Sequence, residues 1–160
     1  MSTPNYPMDD IDRAILNRIQ SDFPMSPHPY RSIADEPFFQ DLGLSENDVL
    51  IRVARLKSEG IIRRIGGNFV PEKVGFVSTL CAAKVPEKKI ESFTKEVNRY
   101  PGVTHNYQRD NEYNIWFTFI APSMKEIEEN IKKISQKTGI IDLINLPATK
   151  VYKIKAHFDL

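Results

Sequence analysis

The 160-residue chain lacks most of the residue patterns that mark common functions. It has a single cysteine, so a disulfide within the chain is excluded and a reducing cytoplasm is the expected compartment. No apolar run approaches the ~20 residues that a membrane span needs, and we expect no signal peptide because the first residues lack an apolar region. Cysteine pairs for metals, glycine-rich phosphate loops and serine nucleophile motifs are also absent. We therefore expect a cytoplasmic protein without a membrane partner.

The charges of the chain are balanced. A formal net charge of +1 gives it no overall basic surface with which to attract nucleic acid. With 41% hydrophobic residues, the chain is large enough to bury the core of one ordinary domain or of two small ones. The cysteine, Cys81, lies in the apolar run FVSTLCAAKV, which predicts a buried small hydrophobe rather than a nucleophile.

Three helices and a small hairpin are predicted in the first half of the chain. An apolar stripe after the pair Asp9-Asp10 indicates a first helix, and Pro29 favours the start of a short second one. A capping-box pattern at Ser45 opens the third helix. The run IIRRIGGNFV, residues 61–70, indicates two short strands around a glycine pair.

This order predicts a winged helix-turn-helix domain over residues 1–71. Residues 72–160 have a different pattern: strand, helix, strand, strand, helix, strand. The last strands fall in the runs IIDLINL and KVYKIKAHF. This second order is that of a ferredoxin-like (βαββαβ) domain, so the fold class is α+β. Such a sheet leaves one face open, and that face commonly pairs with a partner chain.

The most unusual stretch of the sequence is the hairpin GVTHNYQRDNEYNIWFTFI, residues 102–120. Its strands are joined by a polar turn. Simple alternation places four residues of the first strand on one face: Val103, His105, Tyr107 and Arg109. The second strand adds Asn114 and Trp116, the single tryptophan. One interpretation is a half-solvated edge hairpin; the other is a functional site that combines a titratable histidine, a fixed cation and a large aromatic ring.

DNA contact is the first function that a helix-turn-helix suggests, and the charges argue against it. The helix that opens at Ser45 occupies the place of a recognition helix. Its acidic and basic residues cancel, and its first turn, which would meet base edges, contains Glu46 and Asp48. Carboxylates at that position repel phosphate, so we expect no strong DNA role.

A winged helix-turn-helix followed by a ferredoxin-like sandwich resembles the Lrp/AsnC family across almost the whole chain. Within that family, three stretches are similar to the sirohaem (siroheme) decarboxylase branch. They are the proline-rich segment DFP…PYRSIA, the run RRIGGNF and, most specifically, HNYQRDNEYNIWFT.

The resemblance implies a carbon–carbon lyase that removes carbon dioxide from two acetate side chains of siroheme. The product would be didecarboxysirohaem, on the route of alternative haem or haem d1 biosynthesis. It also implies a homologous second subunit, as a heterodimer or a homodimer. No separate cofactor is required, because the macrocycle itself accepts electrons and the iron enters as part of the substrate.

Siroheme carries many carboxylates on a flat ring, so its site needs cations and an aromatic floor. The candidate carboxylate clamps are Arg63, Arg64 and Arg109. Tyr107 and Trp116 are candidates for the floor.

A proton donor is needed for the new methyl carbon, and His105 fits because imidazole titrates near neutral pH. Tyr107 and Arg109 complete the predicted catalytic set. His105 is alternatively a ligand of the substrate iron. Asn114 and His157 are further predicted substrate contacts, and for His157 a sheet-edge role is an equal alternative.

Two other functions stay open from the sequence. The first is a DNA-binding regulator of the Lrp/AsnC type whose second domain binds a small ligand. The second is a haem-binding module that uses the same pocket without chemistry and needs no proton donor.

Overall fold

The computed structural model of the protein describes residues 7–67, 69–153 and 157–160. Contacts divide them into two units. The helical unit holds the described residues up to Gly67 and from Lys153 onward, and the sheet unit holds those in between. No helix in the described ranges is long and apolar enough to cross a membrane.

The helical unit contains four helices: α1 Asp10–Ser21, α2 Pro29–Ala34, α3 Pro37–Asp41 and α4 Glu46–Ser58. Capping boxes at Asp9 and Ser45 start α1 and α4, which confirms the predicted helix starts. Helix α3 was not predicted, although Pro37 at its first turn is a recognised start signal. One face of each helix is buried in a common apolar core that includes Ile15, Ile33, Phe39, Val49 and Leu56.

The wing predicted over residues 61–70 is wrong for the described residues of that run, none of which is in a strand. The backbone N–H groups of Ile61 and Ile62 both donate to the carbonyl of Leu56, at 3.0 Å each, and close the end of α4. Ile62 is also buried in the helical core. Because these amides bind the helix end, they do not pair across a hairpin. Over the described residues of this run, the helix-turn-helix is therefore formed without its predicted wing.

The sheet unit has the predicted order of elements: β1 Val77–Ala83, α5 Ile90–Val97, β2 Val103–Gln108, β3 Ile115–Ala121, α6 Met124–Thr138 and β4 Leu143–Leu146. Short 3₁₀ turns precede β1 and α5. The strands form one antiparallel sheet in the order β2-β3-β1-β4. The order and the two crossover helices confirm the ferredoxin-like fold.

The last place in the sheet belongs to the run IIDLINL, which supplies β4. A further strand was predicted over residues 150–158, in the run KVYKIKAHF. Residues 150–153 and 157–158 are not in a strand, and residues 154–156 lie outside the described part of the chain. The edge beside β1 is already filled by β4, so this second run has no place in the βαββαβ order.

The two faces of the sheet have different surroundings. One face packs on α5 and α6 and forms an apolar core that includes Cys81, Phe93, Phe117, Ile127 and Ile134. This burial confirms the prediction for the cysteine and raises the pKa of its thiol to about 12. The side chains that alternate with the core residues form the opposite, open face: Leu80, Ala82, Trp116, Thr118, Ile144 and Leu146.

Candidate functional site

The hairpin of β2 and β3 has a turn that is held by its own hydrogen bonds. The backbone N–H of Arg109 donates to the carbonyl of Asn114 at 2.8 Å, which closes the turn. Within it, the N–H of Asn111 donates to the Arg109 carbonyl, and the Asn111 side chain accepts from the N–H of Tyr113. Asparagine favours turns through such local bonds. The turn thus fixes the backbone of Arg109.

A β-bulge interrupts the first strand at Thr104 and changes the predicted face. Val103 lies opposite Phe119, whereas His105 lies opposite Thr118, so the register shifts between them. Val103 therefore packs against the core, and the expectation that it shares a face with His105 is wrong. The physical reason is the extra residue, because the period of two holds only while the register is constant.

Beyond the bulge, His105 and Tyr107 do share the open side of the strand. Their rings stack with centroids 6.0 Å apart and an interplanar angle of 24°. The hydroxyl of Thr104 lies 3.0 Å from Nδ1 of His105. Tyr107 is half exposed and pairs in register with Trp116. The two predicted catalytic side chains are thus brought together at the surface of the sheet unit.

Arg109 and Trp116 form the second pair of the site. The guanidinium carbon lies 5.9 Å from the centre of the indole ring, a cation–π distance. The indole N–H donates to the carbonyl of Tyr113 at 2.6 Å, which fixes the ring. Within the described ranges the guanidinium of Arg109 has no carboxylate partner. Its hydrogen-bond donors are therefore available for a bound anion.

Asn114 has a structural contact where a substrate contact was predicted. Its side-chain amide donates to the carbonyl of Val85 and accepts from the N–H of the same residue, at 2.8 and 2.9 Å. Beside it, Lys84 pairs with Glu112 at 2.6 Å. These contacts fasten the hairpin turn to the segment that follows β1. In this structure Asn114 thus supports the turn that carries Arg109.

The remaining predicted substrate contacts lie in the helical unit. Arg63 and Arg64 are exposed and follow the end of α4. His157 is half exposed; its Nδ1 lies 3.3 Å from the hydroxyl of Ser21 and its Nε2 lies 3.3 Å from Asp159. None of these three belongs to the sheet unit that holds the hairpin.

The arginines of α4 are paired inside the helical unit. Arg52 donates to Asp12 of α1 at 2.7 Å and to Asp9 at 2.8 Å, and Arg55 donates to Asp12 at 3.2 Å. Asp12 is fully buried. Slight burial raises the pKa of Asp9, but the hydrogen bonds from the Asp12 amide and from Arg52 outweigh it and leave the pKa lowered. Two cations of α4, the helix in the place of a recognition helix, are thus bound to carboxylates of the same unit.

A shallow cleft of about 410 Å³ is lined in part by Thr104. Its walls include Tyr100, Phe119 and Asn130, and it contains none of the predicted catalytic residues. The side chains of His105, Tyr107 and Arg109 lie instead on an exposed surface. A flat tetrapyrrole that bound there would keep one face uncovered by this unit.

Metal binding by the protein itself finds no support in the described residues. They contain no cluster of three or more His, Cys, Asp or Glu side chains suited to a metal ion. The raised pKa of Cys81 keeps its thiol protonated and unsuited to ligate a metal or act as a nucleophile.

Thr104 contacts His105 but was not among the predicted site residues. Strict alternation assigned its side chain to the face opposite His105, but its hydroxyl lies 3.0 Å from Nδ1 of that histidine, at the position where the register shifts. The signal in the sequence was weak: a glycine, Gly102, two positions upstream, of the kind that often marks an irregular strand.

The fold and the two domains define a class of protein, and family models identify both parts. An AsnC-like ligand binding domain matches residues 73–153, and a siroheme decarboxylase NirDL-like HTH domain matches residues 12–63. The structure of Escherichia coli AsnC is similar in fold, with a TM-score of 0.76 and 19% identity over 94% of this chain and 98% of that one. The class is therefore that of Lrp/AsnC-like two-domain proteins.

More specific relatives narrow the class. The siroheme decarboxylase alpha subunit of Desulfovibrio desulfuricans is 53% identical over 94% of this chain and 84% of its own length. The NirD subunit of the Pseudomonas aeruginosa siroheme decarboxylase is 35% identical over 96% and 97%. The crystal structure of NirDL in co-complex with an iron-uroporphyrin III analogue has a TM-score of 0.64 and 30% identity over 92% of this chain and 48% of that one. The chain belongs to the siroheme decarboxylase family.

Proposed function

We propose that the chain is a subunit of a siroheme decarboxylase that removes carbon dioxide from two acetate side chains of siroheme. The observation that carries this proposal is the 53% identity to a siroheme decarboxylase alpha subunit over 84% of that relative's length. The product is didecarboxysiroheme, and the reaction class is that of a carbon–carbon lyase. The hairpin supplies the side chains that the reaction needs.

Substrate binding requires cations beside a flat apolar surface. Among the residues that the structure describes, Arg109 has no carboxylate partner, and it lies over Trp116. A substrate carboxylate can therefore bind its guanidinium while the ring of the substrate contacts the aromatic residues. Tyr107 extends that surface beside Trp116. Arg63 and Arg64 of the helical unit are exposed cations and stay candidate carboxylate clamps.

The chemical step breaks the bond between the acetate methylene carbon and its carboxylate. The electron pair stays on the methylene carbon, delocalised into the macrocycle, and carbon dioxide leaves. His105 then gives its proton to this carbon, which becomes a methyl group, and solvent returns a proton to the imidazole. Tyr107 holds the imidazole by stacking. No cofactor beyond the substrate takes part, because the macrocycle is the electron acceptor.

A second, homologous subunit supplies the opposing wall of the site. Tyr107 is 50% exposed, and two leucines of the open sheet face, Leu80 and Leu146, are each 42% exposed. A tetrapyrrole site is normally enclosed, which this single face does not achieve. Relatives of this chain are named as alpha, NirD and NirG subunits. A heterodimer whose sheets meet over this open face would enclose the substrate, and it agrees with the naming of the relatives as subunits.

A DNA-binding role is disfavoured by the ion pairs of α4. Arg52 and Arg55 donate to buried or half-buried carboxylates of α1, so they are withdrawn from phosphate contact. Glu46 and Asp48 place two carboxylates in the first turn of α4, at the end that would meet the bases. A gel-shift with duplex DNA at low and physiological salt would detect such binding if it existed.

The test is anaerobic turnover of siroheme by the purified chain together with its co-expressed partner, followed by the mass of the product. We expect a mass loss of two carbon dioxide units. The variant His105→Gln is expected to lower kcat by about 10²–10⁴-fold, the usual contribution of a proton donor. His28→Gln, which changes an exposed histidine of the helical unit, is the matched control.

Two outcomes would contradict the proposal at different levels. Without any carbon dioxide loss by the wild-type complex, the enzymatic function is wrong. If the wild-type complex turns over and His105→Gln matches it, the function stands and the proton-donor role of His105 is wrong. Absorption spectra of the siroheme complex would add a check, because loss of an iron ligand changes the iron spectrum whereas loss of a proton donor does not.

A further inference from the structure

Thr104 and His105 are exposed neighbours in β2 whose side chains are in contact. Consecutive residues of a regular strand face opposite ways, but the register of β2 shifts between Val103 and His105. At this irregular position, the Thr104 hydroxyl oxygen lies 3.0 Å from Nδ1 of the imidazole.

The two nitrogens of His105 thus have different environments. Nδ1 is engaged by Thr104, and stacking on Tyr107 holds the plane of the ring. Within the described residues no carboxylate lies within ion-pair distance of this histidine, whereas His28 and His157 each have one. A neutral hydroxyl therefore takes the orienting position that a carboxylate or carbonyl often holds.

We propose that Thr104 is a positioning residue that holds Nδ1 of His105, so that Nε2 is the nitrogen that delivers the proton to the substrate. The inference deepens the proposed function and rests on it. A protonated imidazole carries hydrogen on both nitrogens, so the Thr104 oxygen accepts from Nδ1–H in the proton-loaded state. When the Nε2 proton has left, the same Nδ1–H bond persists in the neutral ring.

The proton balance follows from this arrangement. The methylene carbon that has lost carbon dioxide takes the Nε2 proton and forms a new C–H bond. The electron pair of the broken N–H bond stays on Nε2, which becomes the acceptor nitrogen of a neutral Nδ1–H imidazole. One proton from solvent then restores Nε2–H. The hydroxyl of Thr104 keeps its own hydrogen throughout and only orients the ring.

The substitution that tests the proposal is Thr104→Val, which removes the hydroxyl and keeps the branched shape, with Thr104→Ser as the control that keeps the hydroxyl. The chain has three histidines, so nitrogen-15 spectra of the imidazoles can be assigned with single His→Gln variants. In the neutral ring of His105 we expect the Nδ1–H tautomer in the wild type and in Thr104→Ser. We expect a shift towards Nε2–H in Thr104→Val.

Turnover by the complex with its partner subunit is the second measurement. We expect Thr104→Val to lower kcat by about 10- to 100-fold, the usual effect of losing an orienting partner, with KM unchanged. Thr104→Ser should retain the wild-type kcat. A merely structural role would lower kcat in both variants alongside the unfolding free energy.

The outcomes separate this inference from the proposed function. An identical tautomer population in the wild type and Thr104→Val would overturn the Thr104 contact, whatever the activity. A tautomer shift in Thr104→Val with an unchanged kcat would overturn the positioning role. A wild-type complex that releases no carbon dioxide would overturn the proposed function, and the spectra would still decide whether Thr104 sets the tautomer.

Discussion

The arginines of α4 and the arginine of the hairpin turn have opposite surroundings. In the helical unit, Arg52 and Arg55 converge on Asp12, a carboxylate with no exposed surface. In the hairpin, Arg109 lies over the Trp116 ring and has no carboxylate partner within the described ranges. The first arrangement uses charge to hold helices together, and the second leaves charge available to a ligand.

This difference, more than composition, is the reason why we propose the hairpin as the functional region. Both regions contain arginine, aspartate and glutamate at ordinary density. A buried ion pair is costly to break because the remaining charge stays uncompensated, whereas an exposed cation contributes little to folding. Substitutions of the paired charges should therefore change stability, and substitutions of the unpaired charge should change binding.

The largest expected effect is the loss of the buried carboxylate in Asp12→Ala. It leaves two guanidinium groups without their shared partner, so we expect the free energy of unfolding to fall by about 3–5 kcal/mol. Urea unfolding followed by far-UV circular dichroism measures this change. Asp10→Ala, an exposed residue of the same helix turn, is the control and should change stability by less than about 0.5 kcal/mol. Equal effects of the two substitutions would show that the buried ion pairs of Asp12 do not contribute to the unfolding free energy.

The second effect concerns ligand binding through Arg109. In Arg109→Gln, we expect siroheme binding to weaken by about 1.5–3 kcal/mol, the range for a charge-assisted hydrogen bond, while stability stays unchanged. Trp116 is the single tryptophan, so quenching of its fluorescence by the bound tetrapyrrole reports affinity at the site. Arg99→Gln is the control, because Arg99 already pairs with Glu96. A loss of stability in Arg109→Gln without a loss of affinity would show that Arg109 stabilises the fold, as the arginines of α4 do, and does not bind the substrate.

The third effect tests the backbone at the base of the hairpin. A Cβ added to Gly102 would stand 2.0 Å from the carbonyl oxygen of Ile120, and the N–H of Ile120 donates to the Gly102 carbonyl at 2.9 Å. The pairing must shift to admit the methyl group, so we expect Gly102→Ala to destabilise the sheet unit by about 1–3 kcal/mol.

Gly66→Ala in the helical unit is the matched control, because a Cβ there meets no atom within 4 Å. The labelling rate of Cys81 by a thiol reagent monitors opening of the sheet unit, since this thiol is fully buried in the native state. Faster labelling is expected in Gly102→Ala alone. An unchanged rate in that variant would show that the strands accommodate the methyl group without opening.

Local signals in the sequence were sufficient for most of the fold. Capping residues and apolar stripes predicted α1, α2, α4 and the two helices of the sheet unit, and the element order predicted the ferredoxin-like sheet. The failures have tertiary causes. The described residues do not form the predicted wing, because the amides of Ile61 and Ile62 donate to the end of α4 instead of pairing across a hairpin. No local sequence pattern distinguishes these two hydrogen-bonding arrangements.

The sequence indicated which side chains form the candidate site better than it indicated how they are arranged. The pairing of His105 with Tyr107 followed from alternation, whereas the contact of Thr104 with His105 lies at a register shift that alternation does not predict. Asn114 is a second example, because its amide binds Val85, a residue about thirty positions earlier that local patterning does not connect to it.

The smallest effect should come from the exposed pair of the hairpin, Lys84 and Glu112. The hydrogen bond from Lys84 lowers the pKa of Glu112, so this contact stabilises the fold above the ordinary glutamate pKa of about 4.3 and is lost as pH falls through the lowered value. Both side chains are more than half exposed, so salt screens their attraction. We expect Glu112→Gln to lower the unfolding free energy less than Asp12→Ala and Gly102→Ala do, with no change left at high salt.

Asp9 of the helical unit gives the matched acid titration. Its pKa is also lowered, so its contribution is likewise present above the ordinary aspartate pKa and lost on acidification. Its partner Arg52 is shared with the buried Asp12, so protonation of Asp9 disturbs a network rather than one exposed pair. Acidification should therefore lower the unfolding free energy of the helical unit more in the wild type than in Asp9→Asn. Added salt should suppress this difference only in part. If high salt removed this difference as completely as it removes the effect of Glu112→Gln, the ion pairs of the two regions would be equivalent. The hairpin would then differ from the helical unit only in Arg109, which has no carboxylate partner among the described residues.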